Sequence, residues 1–331
     1  MTKATSAARD DRPPLLALVG PTAVGKTAVS LRIAEALDAE IISGDSMQVY
    51  RRMDIGTAKL PLAEREGIPH HLIDILEPEE PFSVSMFQSL CAEKIREIHE
   101  RGKLPFLVGG TGLYVESVCY GFEFQGDSGD EAFRERMRHF AQAHGAEALH
   151  ARLAAVDPST AARLHPNDER RIIRALEVFE TTGRPLSETQ AQTRAAPKTS
   201  PYRLCLIGLT MDRAALYRRI NERVDAMIAQ GLVEEVEALI RSGVPQDAVS
   251  MQGLGYKEIA AYLRGECSLA EAVERLKRDT RHFAKRQLSW FRHMQDLVWA
   301  EADEEGKIDD LFKSICAIIA GKFHLDLEYI R

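Results

Sequence analysis

The chain has no C-x-x-C pair and no clustering of cysteine with histidine. Its five cysteines, Cys91, Cys119, Cys205, Cys267 and Cys316, lie far apart. That spacing argues against a zinc site or a disulfide framework and fits a reducing, cytoplasmic setting. No apolar run is long enough to span a bilayer, so no membrane role is expected. Positive charge is not in excess: 43 Lys and Arg stand against 50 Asp and Glu, a formal net charge of -7. A uniformly basic nucleic-acid binder is thereby excluded, while local basic patches are not. Internal repeats and low-complexity tracts are lacking too. The opening stretch MTKATSAARDDRPP holds no apolar segment and carries Asp10 and Asp11. It reads as a short disordered tail over residues 1–13.

What remains is ordinary globular material, 45% hydrophobic and 28% charged over 331 residues. That length suffices for two or three domain-sized units. LLALVG (15–20), EIISGD (40–45) and LPFLVGG (104–110) are short apolar runs of the kind buried in a parallel sheet. Helical spacing separates them, as in KTAVSLRIAEAL and MFQSLCAEKIREIHERGK, which is the rhythm of an open α/β sheet. After TGLYVESVCYGF the character changes. QGDSGD reads as a loop, and from about Glu131 to Glu180 every pattern is helical. A polar, proline-containing connector follows, and then YRLCLIGLTMD returns to a buried strand. The predicted organisation is a P-loop NTPase-like parallel α/β core over 14–114 and 201–331, with an all-helical insertion over 115–200. Several helices close the chain. One is the long basic segment SLAEAVERLKRDTRHFAKRQLSWFRHM.

GPTAVGKT, comprising Gly20, Pro21, Thr22, Ala23, Val24, Gly25, Lys26 and Thr27, satisfies G-x-x-x-x-G-K-[ST] between a strand and a helix. Backbone amides of such a loop converge on phosphate oxygens, helped by the helix N-terminus. Lys26 is placed to neutralise phosphate charge and Thr27 to hold Mg²⁺ through its hydroxyl. The loop specifies phosphates and not a nucleoside. A P-loop NTPase usually adds an apolar strand ending in Asp. Here LPFLVGGTG ends in Gly109, Gly110, Thr111 and Gly112, with no acid. Small residues at that tip permit close approach of a ligand or simply a tight turn.

Asp45 ends the strand EIISGD on the edge where α/β sheets bind ligands. A carboxylate there can hold a metal, accept a proton or cap a following helix. Basic residues gather in two helical segments. Arg170, Arg171 and Arg174 lie in NDERRIIRALEVF, and Arg278, Arg281, Lys285 and Arg286 lie in RLKRDTRHFAKRQ. Such groups are either solvated faces or phosphate contacts. QGLGYKE supplies a flexible backbone at Gly253 and Gly255, together with Tyr256, which can stack or pack against the RNA loop, and Lys257. His70 and His71 in PHHLID lack a third ligand nearby, and structural roles are expected for them.

GPTAVGKT, GDSMQVYRRMDIGTAK, PHHLID, LVGGTGLYVES, HPNDERRIIRALEVF, QGLGYKE and DTRHFAKRQLSWFR resemble, in order from about Leu16 to Trp299, the successive motifs of the tRNA isopentenyltransferase family, bacterial type. The resemblance implies transfer of a dimethylallyl group from dimethylallyl diphosphate to the exocyclic amine of the adenosine 3′ of a tRNA anticodon, with Mg²⁺ as cofactor. The phosphate loop then binds an isoprenoid diphosphate, and Asp45 is the general base. Asp45, Ser46, Met47 and Gln48 resemble the base-contacting stretch, with Met47 packing on the adenine and Gln48 bonding its edge. Thr111 and Arg134 resemble tRNA-contacting positions. Arg219 or Arg223, in YRRINERVD, is a candidate further cation for the diphosphate. The flipped-out adenosine and the anticodon stem-loop are the expected partners of a cytoplasmic monomer. Two other readings stay open: a small-molecule kinase, which needs ATP and a strand-end acid, and an RNA-binding module without catalysis.

Overall fold

A computed structural model describes residues 10–124, 130–195, 198–302 and 308–325. Most of the expected N-terminal tail, residues 1–9, and most of the QGDSGD loop, residues 125–129, lie outside that set. Among the described residues six strands form one parallel sheet: β1 (Pro14–Val19), β2 (Ala39–Ser43), β3 (His70–His71), β4 (Leu104–Gly109), β5 (Arg203–Thr210) and β6 (Leu297–Glu301), in the order β3-β2-β4-β1-β5-β6.

The reason for a doubly covered sheet is visible in β1. Leu15, Ala17 and Val19 pack into one core, while Leu16 and Leu18 pack into a second on the opposite face. All five are fully buried. An unbroken apolar run suits a strand with helices on both sides. Truncating Leu16 to Ala would leave a cavity costing about 3 kcal/mol. The first core is closed by α2 (Val84–Glu100), α3 (Gly112–Tyr120), α10 (Leu232–Arg241), α11 (Tyr256–Leu263) and part of α12 (Leu269–Phe291). The second is closed by α1 (Lys26–Ala36), α9 (Arg213–Ala229) and α13 (Ile308–Phe323).

Register sets the functional edge. Val19 pairs with Gly109 of β4 and with Gly208 of β5, and Ser43 pairs with Val108. The loops after β1, β2 and β4 therefore emerge side by side. The tips of β2 and β4 approach so closely that a Cβ on Gly109 would stand 2.3 Å from the Gly44 carbonyl oxygen. Only glycine fits there.

Strands β3 and β6 are not evident in the sequence. Both are edge strands, β3 only two residues long and β6 with a single buried residue, Ala300. A second correction concerns the insertion, expected from residue 115. The helical unit is Glu123–Thr199, and everything through Phe122 belongs with the sheet. Helix α3 explains the shift. Every residue from Tyr114 to Tyr120 is buried, and Val115, Val118 and Cys119 enter the first sheet core. Within the helical unit, α4 (Glu131–His144), α5 (Ala146–Val156), α6 (Pro158–Ala161), α7 (Glu169–Thr182) and α8 (Leu186–Ala195) enclose a separate core. Phe133, Met137, Leu149, Leu153, Ile172 and Ile173 form it.

Candidate active site

The carboxyl ends of β1, β2 and β4 open onto a cavity of about 600 Å³. Its lining includes Thr22, Ala23, Gly25, Lys26 and Thr27 of the phosphate loop, Asp45 to Gln48, and Gly110 and Thr111. Arg219 and Arg223 reach it from α9. Met47, Met227, Leu254, Leu276 and Phe283 supply apolar wall. A smaller chamber of about 80 Å³ shares Lys26, Thr27, Asp45 and Gln48 and extends toward Ser43 and His70.

The phosphate loop divides its labour. Gly25 caps α1 in the left-handed region, φ 103°, a conformation that favours glycine. It turns the first amides of α1 toward the cavity, where helix geometry favours an anion. Gly20, Pro21 and Val24 do not line the cavity. Val24 is buried in the second sheet core, and the Gly20 and Pro21 carbonyls accept hydrogen bonds from Lys26 Nζ at 2.9 and 2.8 Å. Burial pulls the Lys26 pKa down to about 7. The neighbouring Arg223 cation lowers it further, and the Asp45 carboxylate opposes both. Burial also lowers the Arg223 pKa, with Asp45 again opposing. Two desolvated cations facing one carboxylate make a site that favours a multiply charged anion.

Asp45 is not a helix cap, because the residues after it form turns. Its Oδ1 accepts the Met47 amide at 2.8 Å, which fixes the carboxylate in the cavity wall. Thr111 Oγ1 accepts the Ser46 amide at 3.1 Å, tying this loop to the glycine tip after β4. Gln48 is more constrained than the sequence suggests. Its amide oxygen accepts from Ser43 Oγ at 2.9 Å and its amide nitrogen donates to the Thr57 carbonyl at 3.2 Å. Its second amide N–H has no part in these two bonds. Met47 packs beside Gly253, and its thioether arm lines the cavity.

Tyr256 requires a correction. It opens α11, is fully buried, and donates its hydroxyl hydrogen to Glu235 at 2.7 Å. Burial raises its pKa. A ring packed against Gly56 in the protein interior presents no face on which RNA can stack. The local Gly-Leu-Gly sequence reads as a loop, but burial of the ring starts the helix there. Gly255 is likewise buried, while Gly253, the buried edge of Tyr256 and the exposed Lys257 border the cavity.

On α12, Arg286 lines the cavity and Lys285 is exposed. Arg281 donates to Asn221 at 2.6 Å, and Arg278 pairs with Asp279. In the helical unit Arg170 and Arg171 are exposed. Arg134 and Arg174 differ from them, because both pair with the fully buried carboxylate of Glu177, at 2.8 and 2.7 Å. Much of their charge is thus matched inside the unit, and about one-third of each side chain stays exposed. His70 Nδ1 bonds the Ile68 carbonyl, and His71 meets Glu40, which Arg101 also grips.

Two residues that sequence reading missed organise the site. Gln287 of α12 accepts the Thr22 amide and donates to the Gly110 carbonyl, both at 2.9 Å. Glu235 accepts the amides of Asp54, Ile55 and Gly56. A signal existed for Gln287. It occupies a core position of α12 in the series Ala284, Gln287, Phe291, where a polar residue needs a reason.

A profile of the IPP transferase family matches residues 48–294, and one described as isopentenyl transferase matches residues 13–71. The chain is 52% identical over 312 residues to the tRNA dimethylallyltransferase of Bacillus pumilus, covering 94% of this chain and 97% of that protein. To the Bacillus subtilis protein of the same name it is 50% identical, covering 94% and 98%. Among solved structures, the full-length tRNA isopentenylpyrophosphate transferase of Bacillus halodurans superposes with a TM-score of 0.72 at 48% identity, covering 95% of this chain and 97% of that one. A eukaryotic dimethylallyltransferase described as acting on tRNA superposes with a TM-score of 0.80 at 28% identity, covering 95% and 80%.

Proposed function

Because the chain belongs to the IPP transferase family, that of the tRNA dimethylallyltransferases, we propose that its cavity brings dimethylallyl diphosphate and a tRNA adenosine together over Asp45. The protein is a prenyltransferase acting on tRNA. The kinase reading and the non-catalytic reading are not favoured. The residue roles that follow are supported chiefly by the convergence of Lys26, Thr27, Arg223 and Asp45 on one cavity.

The diphosphate lies on the amides of Ala23 to Thr27, with Lys26 and Arg223 as its cations. Lys26 has two backbone carbonyls as resting partners, and a phosphate oxygen is a better acceptor for its ammonium. The dimethylallyl group extends along the apolar wall that includes Met227 and Phe283. An adenosine flipped out of the anticodon loop enters with its base against Met47. Its exocyclic amine is a poor nucleophile, since the lone pair is delocalised into the ring. Asp45 accepts an amine proton as nitrogen forms its bond to the prenyl carbon, and the carbon–oxygen bond to diphosphate breaks. Thr111 and Ser46 keep the Asp45 loop at the required distance from the phosphate loop.

Thr27 presents a hard hydroxyl oxygen on the shared floor of both chambers, which suits Mg²⁺ when the diphosphate and water complete its shell. Bound there, Mg²⁺ would neutralise charge on the departing diphosphate. The exposed Arg170, Arg171, Lys285 and Arg286 would contact tRNA phosphates. The free, mostly buried cysteines agree with a cytoplasmic location.

The test is Asp45→Asn, assayed with dimethylallyl diphosphate, Mg²⁺ and unmodified tRNA. Single-turnover transfer should slow by about 10²–10⁴-fold with the KM for the diphosphate little changed. An unchanged rate would retire Asp45 as the base.

A further inference from the structure

The two hydrogen bonds of Gln287 join backbone groups on neighbouring strand tips. One is the Thr22 N–H in the phosphate loop after β1. The other is the Gly110 carbonyl in the glycine tip after β4. The side chain is 5% exposed, and both ends of its amide are satisfied by these partners alone among the hydrogen bonds described for it. Its fit is tight: a Cβ on Gly110 would stand 2.4 Å from Gln287 Nε2. One turn on, Trp290 donates its indole N–H to the buried Glu116 and packs on Gly112, where a Cβ would come within 2.5 Å of the ring. Helix α12 therefore grips the Gly110–Gly112 tip at two points and the phosphate loop at one.

We infer that Gln287 is a positioning residue for the diphosphate substrate, an inference that rests on the function proposed above. A phosphate loop binds through the directions of its amides, and those directions depend on where its first residues are anchored. Thr22 precedes the amides of Ala23 to Thr27 by one residue. Held by Gln287, its N–H cannot turn toward the ligand or collapse the loop onto the glycine tip. The cradle is then formed before the diphosphate arrives, and little ordering has to accompany binding. The same bridge fixes the gap between the loop and Thr111, hence between diphosphate and Asp45. Since Arg286 and Lys285 precede Gln287 on α12, the helix that faces RNA also sets the loop that holds the isoprenoid diphosphate.

The experiment compares wild type with Gln287→Met, which keeps the shape and removes both bonds, and Gln287→Glu, which keeps the acceptor and removes the donor. Steady-state constants for both substrates are measured beside hydrogen exchange of the phosphate-loop peptide in the ligand-free enzyme. Gln287→Met should raise the KM for dimethylallyl diphosphate by about tenfold and leave the KM for tRNA within about twofold. Its phosphate-loop peptide should exchange about tenfold faster than that of wild type. If Gln287→Met does not fold, Gln287→Glu decides. Faster loop exchange with a raised diphosphate KM supports the assignment, and unchanged exchange and KM overturn it. In Gln287→Met, a lowered melting temperature with both constants unchanged would overturn it as well, leaving only a packing role. Absence of product from wild type would instead sink the underlying prenyl-transfer reading.

Discussion

Lys26 and Thr27 could be read from spacing alone, because a phosphate loop is a local object whose backbone path follows from eight consecutive residues. Asp45 needed more than its own position, since a strand-end carboxylate serves several purposes. Its place in the wall of the cavity that Lys26 and Arg223 also line is what makes it the candidate base. Gln287 and Glu235 were not legible in the same way, because each acts on backbone distant in sequence. Tyr256 was misread for a related reason: local glycines suggest a loop, while burial against Glu235 and Gly56 decides. Tyr256→Phe should therefore leave tRNA affinity within about twofold and lower stability by about 1 kcal/mol, checked by tRNA titration and thermal melting. A large loss of tRNA affinity in a well-folded variant would restore the stacking role. Arg223 and Arg219 both reach the cavity, and Arg223 lies close enough to Lys26 and Asp45 to act on the charge of one and feel that of the other. Arg223→Gln should cut kcat/KM for dimethylallyl diphosphate by about 10²-fold, with a smaller loss for Arg219→Gln. Equal effects would show that the phosphates lie midway between them.

Long elements with strong periodicity were readable, and short edge elements were not. The apolar runs of β1, β4 and β5 stand out because both faces of each strand are covered. Strand β3 has two residues, too few for any pattern. The boundary of the insertion slipped because α3 is buried on every side from Tyr114 to Tyr120, Glu116 and Ser117 included, and so shows no exposed face. Helix α7 illustrates a further limit. Its arginines read alike in sequence, but Arg174 turns toward Glu177 and meets Arg134 of α4 there. Burial opposes the charge on Glu177, yet the two guanidinium groups outweigh it and hold its carboxyl below the ordinary 4.5. A carboxyl lowered by folding stabilises the native state above its unfolded value. That contribution is lost as pH falls through the folded value. Glu177→Gln should destabilise the helical unit by about 2 kcal/mol at pH 7, less than a fully buried pair because both arginines are about one-third exposed. The gap between variant and wild type should close as pH falls from about 4.5. Melting curves at pH 7 and below pH 4 measure it, and a gap that widened on acidification would contradict the assignment.

At the scale of the whole molecule, a net charge of -7 coexists with RNA as substrate because the cations are local. Arg170 and Arg171 are exposed on the helical unit, and Lys285 and Arg286 on α12. Neutralising Arg170 and Arg171 should flatten the salt dependence of tRNA binding by about one logarithmic unit of slope per charge. Titrations at several salt concentrations test this, and an unchanged slope would remove α7 from the RNA path. The fold itself was largely legible, because a phosphate loop between an apolar strand and a helix nearly dictates a parallel sheet. How the loops meet at its edge had to be seen in three dimensions. The most direct measurement is the mass of the nucleosides released from tRNA after incubation with the enzyme, dimethylallyl diphosphate and Mg²⁺, with Asp45→Asn and an ATP-only reaction in parallel. Dimethylallyl-adenosine from wild type, near-absence from Asp45→Asn and none with ATP alone is the expected result. ATP consumed with no prenylated adenosine would contradict prenyl transfer outright.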